Sequence, residues 1–67
     1  MESPKYKEGD KVTFSLYPAN QELEGVVYIV DRYGTFFNPS EPSYDIFYEA
    51  DNTLYKHIAQ SRVIGLA

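Results

Sequence analysis

The stretch Glu24-Gly25-Val26-Val27-Tyr28-Ile29-Val30-Asp31 constrains the fold more than any other. Five consecutive apolar or aromatic residues, of Val, Ile and Tyr types that suit a pleated backbone, begin after a glycine and end at an aspartate. In strand geometry Val26, Tyr28 and Val30 share one face, and Val27 and Ile29 share the other. A strand apolar on both sides needs cover on both sides. It is therefore expected to lie centrally and curve through a small closed sheet, with single-faced strands wrapped around it.

A chain of 67 residues allows one small domain. Domains near this size bury only about 60% of their unfolded surface, so the core is marginal. With no cysteine, neither a disulfide framework nor a thiolate zinc site can reinforce it, and one histidine cannot supply four zinc ligands. Stability must come from apolar packing, for which seven Tyr and four Phe, with no Trp, are the bulky material.

Six basic and ten acidic residues give a net charge of −4, which slows encounter with phosphates and favours basic partners. Lys5, Lys7, Lys11, Arg32, Lys56 and Arg62 are scattered along the chain. No window reaches the length of a transmembrane helix, and the polar start Met1-Glu2-Ser3-Pro4-Lys5 lacks the apolar region of a signal peptide. The expectation is a soluble, cytoplasmic protein.

Residues 1–7 are polar and read as a flexible lead-in, with the folded unit spanning 8–67. Glu8-Gly9-Asp10 is a turn signal. Lys11 to Tyr17 then alternates strictly, Val12, Phe14 and Leu16 pointing one way, as a half-buried strand does. Pro18 to Leu23 reads as a polar connector into the central strand. Arg32 to Pro42, with two prolines, a glycine and an asparagine, is a loop longer than hairpins usually carry. Tyr44 to Glu49 alternates again, with Tyr44, Ile46 and Tyr48 inward and Phe47 outward. Asp51-Asn52 suits a tight turn into a strand over Thr53–His57. Ile58 to Ser61 fits one 3-10 turn, and Arg62 to Leu66 a last short strand. Val12, Phe14, Leu16, Val26, Tyr28, Val30, Ile46 and Val63 are expected to form one core.

This order is the plan of an all-β, five-stranded SH3-like barrel with a single 3-10 turn before the last strand. Gly9-Asp10-Lys11-Val12, Glu24-Gly25-Val26-Val27, Tyr44-Asp45-Ile46, and Tyr55-Lys56-His57-Ile58 with Ser61-Arg62-Val63 resemble small SH3-like barrels of the KOW/Tudor type over about residues 8 to 66. Short stand-alone proteins of this kind occur in bacteria and their prophages. The resemblance implies a non-enzymatic binding module.

Candidate site residues follow from exposure and chemistry. Tyr33, Phe36 and Phe37 lie in the loop, where no periodic pattern assigns them to the core; they either contact a partner or fold back to cap an open barrel end. Tyr17, Phe47 and Tyr55 could line a groove or an aromatic cage for a cation, with Asp45, Glu49 or Asp51 adding charge, or they straddle core and surface. Pro39-Ser40-Glu41-Pro42 has PxxP spacing but reads as loop stiffening. His57 reads as a partly buried strand residue, and the carboxylates of Glu22, Glu24, Asp45 and Glu49 as solvated faces. No serine or lysine carries a recognisable base and orienting group, and no phosphate loop or EF-hand spacing occurs.

The expected function is a non-enzymatic module without cofactor or metal. Its partner would be a protein with a basic contact patch, bound through Tyr33, Phe36, Phe37 and the adjoining Tyr17, Phe47 and Tyr55. Nucleic acid is the alternative, bound through Lys11, Arg32, Lys56 and Arg62 with exposed Tyr rings. The two readings separate on whether those basic residues converge on one face.

Overall fold

The computed structural model describes residues 2–16 and 21–67. Its regular elements are β1 (Lys11–Leu16), β2 (Gln21–Asp31), β3 (Ser43–Tyr48), a 3-10 turn (Glu49–Asp51), β4 (Thr53–Ala59), a second 3-10 turn (Gln60–Arg62) and β5 (Val63–Leu66). The strands form one antiparallel sheet in the order β4-β3-β2-β1-β5, so the fold is all-β and β2 is central. One 3-10 turn was expected and two are present: the extra one carries the β3–β4 hairpin, with Asn52 in the left-handed region at φ 50°. β2 also starts three residues earlier than its apolar run suggests. Gln21, Glu22 and Leu23 pair with Leu16, Ser15 and Phe14, so the partner strand extends β2 into residues whose own composition is mixed.

The apolar run did not reveal which of its faces turns inward. Leu23, Gly25 and Val27 are buried, whereas Val26 is half-exposed and Tyr28 is 52% exposed. The placement of Val26 and Tyr28 in the core is thus corrected, and Leu23 and Val27 take their places. The cause is register plus a bulge. Val27 faces Ile46 and Ile29 faces Asp45, which leaves Tyr28 as an extra residue on β2. Past the bulge the parity flips, so Val30 packs on the core after all. Phe14, Val12, Val27, Tyr44, Ile46, Leu23 and Val63 form that core, with Leu16, Tyr48, Tyr55 and Ile58 packed against it. The outer face of β2 is not covered as expected: Ile29, like Tyr28, is 52% exposed.

The sheet rolls up without closing. In flat-sheet order β1 and β4 would lie three strand spacings, about 14 Å, apart. Yet the rings of Phe14 on β1 and Tyr55 on β4 are 5.8 Å apart at their centroids. Gly25 permits this roll by what it lacks. A Cβ there would meet the Phe47 carbonyl oxygen at 2.6 Å, Ile46 Cγ2 at 2.7 Å and Phe14 Cε1 at 3.2 Å. Among the described residues no ladder joins β4 to β5, so the closed sheet expected from β2 is an open, rolled one.

The segment before the sheet is tied to one end of the core. Tyr6 packs edge-on against Tyr44 with ring centroids 5.7 Å apart. Tyr44 is fully buried and its hydroxyl donates to the Gln60 side-chain carbonyl, itself buried. The Lys5 N–H donates to the same Gln60 oxygen at 2.9 Å, and Gln60 Nε2 donates to the Ser3 carbonyl at 3.2 Å. Gln60 therefore satisfies the backbone of a segment whose polar composition gives no sign of docking. Burial pushes the Tyr44 phenol up, partly offset by the Lys5 and Tyr6 backbone N–H groups. The turn that follows has Gly9 at φ 91°, and the Asp10 carboxylate accepts from the Lys7 backbone and ammonium, which hold it below its ordinary value.

Candidate interaction surface

The loop between β2 and β3 is built rather than loose. Its entry is a turn: the Asp31 carboxylate accepts from the Tyr33 N–H at 3.1 Å and the Asp31 carbonyl from the Gly34 N–H at 3.2 Å. Gly34 is buried at φ 76°, and a Cβ there would overlap the carbonyl oxygens of Asn38 and Glu41. Thr35 and Asn38 then exchange both backbone bonds, at 3.1 and 3.2 Å, with the Thr35 hydroxyl also accepting from the Asn38 N–H at 2.9 Å. At the exit, the Glu41 carboxylate accepts from the Ser61 N–H at 2.6 Å and from the Ser61 hydroxyl at 3.2 Å. Pro42 is fully buried, and its carbonyl accepts from the Gln60 N–H at 2.9 Å. Pro42 thus pins the exit of the loop to the second 3-10 turn, whereas Pro39 is exposed within the loop.

The reciprocal Thr35–Asn38 pair leaves Phe36 and Phe37 as the two corner residues of a tight turn. Both are 93% exposed, their rings meeting each other edge-on at 5.5 Å, and Tyr33 is 69% exposed. None of the three caps the rolled sheet. That end is filled instead by Tyr44, Tyr6 and Pro42.

The other aromatic candidates separate. Tyr17 lies outside the described residues. Phe47 is on the outer face, stacked on Tyr28 at 5.3 Å with planes 18° apart, and paired across the strands with Val26 and Leu54. Tyr55 faces inward onto Phe14 and Tyr48. Phe47 and Tyr55 are on opposite faces of the sheet, so they do not line one cage. The stripe Val26, Tyr28, Phe47 and Leu54 was not anticipated as a surface. The strand register creates it, because Val26 faces Phe47 and Phe47 faces Leu54, while Tyr28 lies two residues from Val26 on the same side of β2.

The four basic candidates do not share one face. Lys11 borders a cleft of about 350 Å3 together with Glu22, Glu24 and Glu49. Arg32 stands in the loop. Lys56 and Arg62 line a larger cleft, about 540 Å3, with Tyr55 and His57. His57 is exposed rather than partly buried, because a second bulge re-aims it: Tyr44 faces Ile58 and Ile46 faces Tyr55, leaving two β4 residues opposite Asp45. His57 adopts φ 62°, and its N–H donates to Asp45 Oδ1 at 3.1 Å. Among the described residues no group of three or more His, Cys, Asp and Glu could hold a metal ion, and no helix is long and apolar enough to cross a membrane. Comparison of the chain with family models, with curated proteins and with solved structures finds no match.

Proposed function

We propose that this chain is a non-enzymatic interaction module of the SH3-like type, which engages a protein partner through the turn Thr35–Asn38 and the neighbouring Tyr33. The resemblance to small bacterial and prophage barrels supports a cytoplasmic setting. One observation carries the reading: two phenylalanines, each 93% exposed, stand at the corners of a turn clamped by reciprocal backbone bonds. Burying a Phe side chain is worth about 1.5–3 kcal/mol, so an exposed pair on a pre-ordered turn is a concentrated source of association energy. The turn is already built, so little ordering entropy opposes binding.

The charge supports a protein rather than a lipid surface. The net charge is −4 and the loop holds one basic residue, Arg32, against Glu41 and the adjoining Asp31. Anionic membranes attract at about 1 kcal/mol per basic residue near the surface, and this turn lacks that help. A concave apolar site with a basic rim fits it, and the association weakens as salt rises.

The test is affinity capture from the source cell, followed by measurement of the isolated pair. The Phe36→Ala/Phe37→Ala variant is expected to weaken binding by at least about 1–2 kcal/mol, or roughly 5- to 30-fold, with melting unchanged. Equal binding by the two forms would remove the turn from the interface. Loss of binding to neutral lipid vesicles, with the protein contact intact, would reassign the turn to a membrane.

A further inference from the structure

Gln60 holds the segment before β1 in the way a receptor holds a ligand. Its side chain is buried, and both ends of its amide are in use. Oε1 accepts from the Lys5 N–H and the Tyr44 hydroxyl, while Nε2 donates to the Ser3 carbonyl and to the Glu2 carboxylate. Among the described residues no strand pairs with Ser3 to Tyr6, so this one amide stands in for a strand. Few side chains anchor the segment. Pro4 and Tyr6 are half-buried, Tyr6 against the Tyr44 ring, whereas Glu2, Ser3, Lys5 and Lys7 are exposed. The seat is also larger than its occupant. A polar cleft of about 470 Å3 runs beside the segment, which contributes Glu2 and Lys5 to its lining; Ser40, Glu41, Gln60 and Ser61 form the rest. Glu41 is the one charged group that the folded unit adds to that lining, and its hydrogen-bond partners, Ser61 and Asn38, are neutral.

We infer that this notch binds an extended peptide of a partner protein, with proline, a basic residue and tyrosine in succession, and that Pro4-Lys5-Tyr6 is its resident competitor. The register explains each choice. Gln60 takes the carbonyl before the proline and the N–H after it, so the nitrogen that lacks a hydrogen falls where no donor is needed. The ring of proline also keeps the segment extended, as does its effect on the residue before it. The basic side chain enters the cleft that Lys5 and Glu41 both line. The tyrosine takes the place of Tyr6, edge-on to Tyr44. A partner displaces the resident segment by continuing into the part of the cleft that the segment leaves open. The Phe36–Phe37 turn takes no part in this site.

The experiment is an amide NMR titration of the whole chain with an end-blocked peptide that reproduces Glu2 to Lys7. Wild type is compared with Tyr6→Ala, which loosens the resident segment and leaves Gln60 and Tyr44 in place. A tethered competitor acts at an effective concentration of millimolar order, so the peptide is expected to bind Tyr6→Ala roughly tenfold or more tightly than wild type. That gain is the reverse of what losing a merely structural contact would do. Shifts are expected at Tyr44, Gln60 and Ser61. A peptide with alanine in place of its tyrosine is expected to bind about tenfold more weakly. Should Tyr6→Ala fail to fold, Lys5→Pro, which removes the N–H that Gln60 accepts, gives the same comparison. The inference is overturned if the peptide shifts neither variant, if the shifts map elsewhere, if wild type binds as tightly, or if the alanine peptide binds equally. Unfolding of both variants overturns it too, because the segment is then part of the core. Sedimentation of wild type as a dimer, with Tyr6→Ala monomeric, would give the seat to a second copy and overturn the assignment to a partner.

Discussion

Phe14 and Phe36 are the same side chain put to opposite uses. Phe14 is fully buried on β1, its ring against Tyr55 across the roll of the sheet. Phe36 is 93% exposed at a turn corner, touching its neighbour Phe37. Strict alternation beside Val12 and Leu16 fixes the first, because only one face of β1 can turn inward. Backbone bonds between Thr35 and Asn38 fix the second, because they close the turn before either ring can reach the core. The contrast teaches that this chain separates stability from surface chemistry. One set of aromatics makes a marginal core viable, and another is held outside it by a loop with its own hydrogen bonds.

The sharpest test of the buried side is Phe14→Ala. Truncating a buried Phe removes about 3–5 kcal/mol, comparable with the whole stability of a small domain. The variant is expected to be unfolded at ambient temperature by circular dichroism. A melting transition within a few degrees of wild type would show that Phe14 and Phe36 are not opposites at all.

The next test concerns what separates the two regions. Gly34 is buried at positive φ, and a Cβ there would overlap the Asn38 and Glu41 carbonyls. Gly34→Ala is expected to lower stability by about 1–3 kcal/mol and to disorder the turn, so that partner binding falls although no aromatic has been removed. Binding that survives Gly34→Ala would mean that the phenylalanines need no pre-built turn.

Much of this division was readable from the residues. The alternation in Lys11–Leu16 and in Tyr44–Tyr48 fixed two strands and their inward faces. Asn52 was found in the left-handed conformation that its position suggested. The expected turn at Ile58–Ser61 appeared two residues on, at Gln60–Arg62. Three things were not readable. β2 is apolar on both faces, so only its pairing with β1 and β3 could choose Val27 over Val26. The bulges at Tyr28 and at Lys56–His57 are products of two strands, not one. Gln60 is a polar residue buried because it serves the Tyr44 hydroxyl and the Lys5 backbone, partners far away in sequence. For the candidate surface, Tyr33, Phe36 and Phe37 stood out as unassigned aromatics. Their direction depended on the Thr35–Asn38 exchange and on Glu41 reaching Ser61.

A smaller effect is expected where a single aromatic takes part in both packing and polar order. Tyr44→Phe keeps the ring in the core but removes one donor, while Gln60 still accepts from the Lys5 N–H. The loss is expected to be about 0.5–1.5 kcal/mol at neutral pH. Burial raises the Tyr44 phenol above its ordinary 10.0, so folding favours the protonated, neutral form. That contribution is complete below the unfolded value and is lost as pH rises through the folded one. Thermal melts taken from neutral pH upward are therefore expected to show the gap between wild type and Tyr44→Phe narrowing above about pH 10. A gap that stays constant would mean that the hydroxyl is solvated.

The smallest expected effect decides most about the exposed side. If Phe36 and Phe37 stand outside the core, their removal should hardly be felt by the folded chain. Phe36→Ser/Phe37→Ser is expected to change stability by less than about 0.5 kcal/mol, the usual range for surface positions. The turn should tolerate serine, because neither corner residue is at positive φ and the closing bonds come from Thr35 and Asn38 backbones. The loss of two exposed rings should also reduce self-association at high concentration, which sedimentation can measure alongside melting. A drop of several kcal/mol would place the rings against the sheet in solution. The contrast with Phe14 would then collapse, and the pair would have to be read as part of the core's cover.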